Sequence, residues 1–205
     1  MDISTSDKSL FCTQLVDTAA NNFGTTEVLR PTTLVMEDSV YMLVGKYSRT
    51  TPPIQGENER GLLLVKGTVT EEDGKNKIWW NETHTAKPPP KGGYYLLTEV
   101  VGGGGSGTVM HDGTPIFPMQ AKDEDGKSVL LSMRFTPSEN KWELSFVVTG
   151  KGCRDPSIAE WEENRPFMMA HCDGGYYDVY MSTWNGAAWY PYVEPINRVW
   201  GNSRG

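Results

Sequence analysis

The chain has 205 residues, 38% of them hydrophobic, with seven tryptophans and nine tyrosines. That is enough apolar surface for a folded core and too much for a disordered chain. A net charge of −7, spread over acidic turns at residues 71–74 and 122–126 with no basic stripe, argues against nucleic acid as a partner.

The three cysteines, Cys12, Cys153 and Cys172, include no C-x-x-C pair, so zinc-ribbon and thioredoxin-like sites lack support. A Cys153–Cys172 bridge stays open beside the plainer reading of buried free thiols. No basic flank precedes an apolar core near Met1, so no secretory leader is expected there. No apolar run is long enough to span a bilayer, and the closing VWGNSRG holds no lipidation or anchor signal.

From residue 32 onward, β-rich runs alternate with turn signals at steady intervals, the pattern of a sandwich, barrel or propeller. TTLVM (32–36) and SVYMLVGKY (39–47) form an expected hairpin through Glu37 and Asp38, and LLLVKGTVT (62–70) and KIWW (77–80) a second through Asp73 and Gly74. KPPPKGG (87–93) reads as a loop. GTVM (107–110) and TPIFPMQ (114–120) make a third hairpin about Asp112-Gly113. The meander continues through SVLLSMRF (128–135), KWELSFV (141–147), SIAEW (157–161), FMMAH (167–171) and YDVYMST (177–183). The expected class is all-β and antiparallel.

Two internal echoes, FTPSENKW and STWNGAAW, end in Trp142 and Trp189, 47 residues apart, an interval that suits one four-stranded propeller blade. Each tryptophan is placed to plug the gap between neighbouring sheets. GGGGSG (102–107) satisfies a dinucleotide fingerprint only trivially, since a hairpin rather than a helix follows; a structural glycine bulge is expected, and no cofactor. HCD (171–173) holds three metal-ligand types, but neighbours on a strand point to opposite faces, so no metal site is expected. His84 and His111 read as residues of polar turns. Asn81-Glu82-Thr83 is an N-glycosylation sequon, meaningful if the chain enters the secretory pathway. Asp155, ahead of Pro156, reads as a loop carboxylate facing a pocket; its neighbour Arg154 offers either a surface ion pair or a relic of a pocket floor, and the relic is preferred.

Taken in order, LRPTTLV (29–35), YMLVGKYS (41–48), GLLLVKGTVT (61–70), GGGGSG, GCRDPSIAEW (152–161) and NRVWGNS (197–203) resemble the trypanosomal trans-sialidase superfamily from about residue 27 to the end. The resemblance implies a partial β-propeller of the six-bladed sialidase type, about three to four antiparallel four-stranded blades over 27–205, behind a divergent segment 1–26. STWNGAAW resembles the family's Asp-box, with Ser182, Gly186 and Trp189 at the required spacing. Trp184 replaces the aspartate, leaving Asn185 as the nearby side chain able to mimic its brace.

Active members are implied to use a tyrosine nucleophile paired with a glutamate, a separate aspartate as acid/base, and three arginines on the sialic acid carboxylate. By the same resemblance, Asp155 stands at the glutamate of that pair and His171 at the second arginine, where an imidazole cannot reproduce a permanent two-pronged cation. Arg30 stands where active members carry an aspartate for the N-acetyl group, and Pro53 where transferases present an aromatic residue to the acceptor sugar. The acid/base and first arginine are expected upstream of residue 1, and the third arginine and nucleophile downstream of residue 205.

The implied function is a catalytically degenerate sialidase-like protein of the cell surface or a secreted form, binding sialylated or other host glycoconjugates or matrix. An active exo-α-sialidase or trans-sialidase and a non-functional truncated product are the competing readings.

Overall fold

The computed structural model describes residues 27–47, 61–72, 74–86, 97–136, 141–145, 149–183 and 185–192. They form three antiparallel sheets. The first holds β1 (Glu27–Met36), β2 (Ser39–Tyr47), β3 (Gly61–Glu72) and β4 (Lys75–Ala86) in sequence order. The second follows β5 (Thr98–Gly102), β7 (Pro115–Lys122), β8 (Ser128–Thr136) and β9 (Lys141–Leu144), with β6 (Thr108–Val109) pairing the same edge of β7 that β5 occupies further along. The third runs β10 (Cys153–Glu162), β11 (Arg165–Cys172), β12 (Tyr176–Met181) and β13 (Tyr190–Pro191). None of the described residues forms a helix long and apolar enough to cross a membrane.

The middle sheet is buried on both faces, which is why its strands read as nearly unbroken apolar runs rather than as alternation. Val129, Leu131 and Met133 of β8, with Phe117, Met119 and Ala121 of β7, pack against Leu34, Leu43, Leu62 and Leu64 of the first sheet. The intervening Leu130 and Ile116 point the other way, into a cluster with Ile158, Met168, Ala170, Tyr180 and Trp189 of the third sheet and its following turn. Trp189 is 1% exposed, and Trp142 leans on Phe117 and Phe135 at the first joint. Both tryptophans therefore fill the joints expected of them. Burying such a ring removes on the order of 150–250 Å² of apolar surface from water.

Several boundaries differ from the sequence reading. β1 begins at Glu27 and passes through Pro31, because a bulge between Leu29 and Thr32 absorbs the residue that lacks an N–H. β4 continues to Ala86, so His84 lies in a strand and not in a polar turn; His111 does lie in its turn. β9 ends at Leu144, short of residue 147. β5 went unread, its TEVVG hidden between two glycine-rich stretches.

Cys153 and Cys172 are direct cross-strand partners of β10 and β11, both buried, and they are joined as a disulfide. The free-thiol reading is thereby overturned: at that pairing the two Cβ atoms stand within bridging distance.

Candidate functional site

The first strand of each sheet stands at one edge, and these edges meet along a seam built by residues 103–107. Gly103 donates its N–H to Pro118 O at 2.8 Å, and Gly104 donates to Thr32 Oγ1 of β1 at 3.0 Å. Gly107 donates to Thr33 O at 2.9 Å, while Ser106 O accepts from Ile158 N of β10 at 3.0 Å. The glycine run is thus a strap that ties β1 to β10 across the split first strand of the middle sheet. A Cβ on Gly103 would stand 2.9 Å from Pro118 O and Pro156 Cγ, and on Gly107 2.6 Å from Ile116 O. On Gly105 it would collide with Ser157 Oγ and Pro156 O. The glycines are required by backbone approach, the structural role expected of them.

Gln120, 5% exposed on β7, completes the seam. Its Nε2 donates to Gly103 O at 3.1 Å and its Oε1 accepts from Asp155 N at 3.2 Å. The sequence reading missed Gln120, although a polar residue inside the run PIFPMQA is the signal that finds it.

Asp155 is not in a loop. It lies in β10, which starts at Cys153 rather than residue 157, at a bulge where Arg154 pairs with His171 and Ser157 with Met169. Its φ of 53° is left-handed, a conformation that aspartate tolerates better than most side chains. The bulge re-aims the carboxylate; Asp155 and Arg154 are 57% and 51% exposed, with Nε to Oδ2 at 3.9 Å. This geometry is that of a solvent-screened pair, worth about 0–1 kcal/mol. His171, half-buried on β11, faces Arg154 on one side and Tyr177 on the other, its ring edge-on to the tyrosine at 5.4 Å. The fold therefore brings Arg154, Asp155, His171 and Tyr177 together at one end of the third sheet.

Arg30 occupies the same kind of bulge in β1, directly before Pro31 as Asp155 is before Pro156. The two first strands therefore carry their charged residue at equivalent positions. Asn81 is the extra residue of a bulge in β4, between the pairs Gly67↔Trp80 and Lys66↔Glu82. Pro53 lies outside the described residues.

The turn after β12 is closed by Ser182, whose Oγ accepts from Gly186 N at 3.0 Å. Asn185, at φ 45°, does not copy the missing aspartate's brace within the turn; its Nδ2 donates to Asp112 Oδ2 at 2.7 Å, tying the turn to the β6–β7 hairpin. Trp189 Nε1 donates to Ser132 Oγ at 2.9 Å, and that hydroxyl donates to Gly186 O at 2.7 Å.

Beneath the bulge, Tyr180 OH donates to Asp178 Oδ2 at 3.2 Å and lies 3.6 Å from Cys153 Sγ; burial, with the nearby Asp178 charge, pushes the phenol well above its usual range. The two cysteines and Asp178 are the one cluster of metal-ligand types gathered among the described residues, and its sulfurs are bonded to each other. His171 and Asp173 do not join it.

The model of the BNR repeat-like domain matches residues 2–205, and the chain belongs to that family. It is 31% identical over 179 residues to Sialidase 85-1.1 of Trypanosoma cruzi, an alignment covering 84% of this chain and 24% of that protein. A second T. cruzi sialidase is 26% identical over 210 residues, 98% of this chain and 18% of its own length. Among solved structures, Trypanosoma rangeli sialidase in complex with sialic acid superposes with a TM-score of 0.68 and 28% identity over 81% of this chain and 28% of that one. Its complex with the inhibitor DANA gives 0.68 and 27% over 80% and 28%. The chain spans about a quarter of the length of these relatives, and its three sheets form part of a β-propeller of the sialidase type.

Proposed function

We propose that this chain is the glycan-facing part of a sialidase-like protein of the cell surface or a secreted form that binds host glycoconjugates without cleaving them. The observation that carries the reading is the cluster on the third sheet. At the position that resembles the family's second arginine, His171 stands between Arg154 and Tyr177. A guanidinium fork grips a carboxylate through two parallel charge-assisted bonds; an imidazole has one N–H per edge and no fork. Beside it Asp155, one methylene shorter than the glutamate it resembles, is exposed and paired to Arg154 rather than enclosed.

The ligand class follows from the relatives, one of which is solved with sialic acid. Arg30 adds a charge opposite to the aspartate expected there, which disfavours the same substrate contact. The test is incubation of the purified protein with sialyllactose, followed by assay of free sialic acid and by a glycan-binding measurement. Binding with release no faster than the blank is expected. Release above the blank would instead make the chain an active sialidase.

A further inference from the structure

His171 is the middle of three directly paired residues that make a row across the third sheet. Arg154 of β10 stands opposite it on one side and Tyr177 of β12 on the other. Directly paired residues point to the same face, with Cβ atoms about 4.5–5.5 Å apart. A guanidinium, an imidazole and a phenol hydroxyl therefore share one patch, and all three can donate hydrogen bonds.

The row is held in register. Its neighbour in the ladder is the Cys153–Cys172 disulfide, and the bulge at Asp155 begins only after Arg154. Tyr177 meets the imidazole edge-on at 5.4 Å between ring centroids. His171 is partly buried while Arg154 is 51% exposed, so the row opens to solvent at its β10 end.

The ionisable groups around the imidazole are few. On β10 they are Arg154 and Asp155, on β12 Tyr177, and in the turn beyond β11 Asp173, whose carboxylate lies against Gly152. Asp178 pairs with Ala170 and so lies on the other face with Met168, Ala170 and Cys172, the face that packs on the middle sheet. Arg154 is the row's permanent cation, and Asp155 Oδ2 already draws on it at 3.9 Å. A second cation can come only from the imidazole. Neutral, that ring donates one N–H; protonated, it donates two and carries a full charge, a change that imidazoles make between about pH 5 and 8.

We propose that the row Arg154, His171 and Tyr177 is an acid-dependent carboxylate site, which holds a glycan carboxylate tightly once a solvent proton has converted His171 to imidazolium. The inference rests on the glycan-binding reading of this chain and adds its dependence on pH. A sialate carboxylate keeps its charge over this range, since carboxyl groups titrate near about 4 and below. Affinity therefore rises as pH falls. By reciprocity, the bound carboxylate raises the pH at which His171 takes up its proton.

The experiment titrates sialyllactose into the full chain at about pH 7.5 and about pH 5.5, where an imidazole is mostly neutral and mostly charged. Lactose is the neutral control, and His171→Gln and His171→Arg run beside the parent. The His171 ring is followed against pH by proton NMR, with and without sialyllactose, its signals assigned by their absence from the variants. Parent affinity about tenfold higher at the lower pH is expected, with no such gain in either variant. The midpoint of the His171 titration should move up when sialyllactose is present.

Equal parent affinity at the two pH values, or a midpoint that sialyllactose leaves in place, would overturn the acid dependence and leave glycan binding standing. A tenfold gain kept by His171→Gln would overturn the assignment to His171, and the same gain with lactose would overturn the carboxylate. Sialyllactose that binds at neither pH would overturn this inference and the glycan-binding reading together, so the two failures are told apart.

Discussion

Ser132 shows how much rests on single polar atoms inside this core. Its hydroxyl is fully buried, takes the Trp189 indole N–H and gives its own proton to Gly186 O. Ser132→Ala strands both partners, and is expected to cost about 2 kcal/mol in urea denaturation. Ser182→Ala removes the bond from Gly186 N and should cost about 1 kcal/mol. At the surface, Lys151 bridges Asp125 at 2.6 Å and Asp123 at 3.0 Å. The Asp125 and Asp123 carboxylates hold the lysine above its ordinary range, and the Lys151 hydrogen bond holds Asp123 below its own. A depressed carboxylate contributes above its unfolded pKa of about 3.9 and loses that contribution as pH falls through the folded value. A raised lysine contributes below about 10.4 and loses it as pH rises through its folded value. The urea midpoint of Lys151→Met should therefore trail the parent at pH 7, by a gap that narrows as pH falls below about 3.9. An undiminished gap at pH 3 would show the pair to be incidental. Ser182, Gly186 and Trp189 were legible because a turn motif fixes their spacing. Ser132 and Gln120 were not, because their partners lie 54 and 17 residues away in sequence.

The strands themselves were legible wherever turn residues bracket them, as at Asp112-Gly113. They were misread where a strand survives a proline or a glycine. β1 and β10 both run through a bulge that carries X-Pro, and sequence periodicity breaks at the extra residue, so both strands appeared to start after it. That misreading placed Asp155 in a loop. The glycine strap was legible as structural, but not as the tie between β1 and β10. Gly105→Ala tests it: the new methyl meets the Ser157 hydroxyl and the Pro156 carbonyl, and the carbonyl cannot yield without moving β10. A loss of about 1–3 kcal/mol is expected, against a smaller one for Gly113→Asn, where nothing stands near the new side chain and only the backbone strain of φ 84° is felt. The disulfide closes 19 residues of sequence across the β10–β11 hairpin. Its removal by paired Cys153→Ala and Cys172→Ala should cost about 3 kcal/mol, seen as a lower melting temperature.

At the scale of the molecule, three sheets share two apolar joints, each sealed by a tryptophan, and a seam of first strands where Arg30 and Asp155 occupy matching bulges. The all-β class and blade-like repeat followed from run length and turn spacing. Which residues face the seam did not, since bulges alter the facing of side chains and only three-dimensional pairing locates them. The central claim is that His171 stands where a carboxylate-gripping arginine is absent. Titration of sialyllactose into the parent and His171→Arg tests it most directly. The account predicts weak binding by the parent and binding at least about tenfold tighter by His171→Arg, the gain of a charge-assisted fork. Tight binding by the parent that His171→Arg weakens would contradict it.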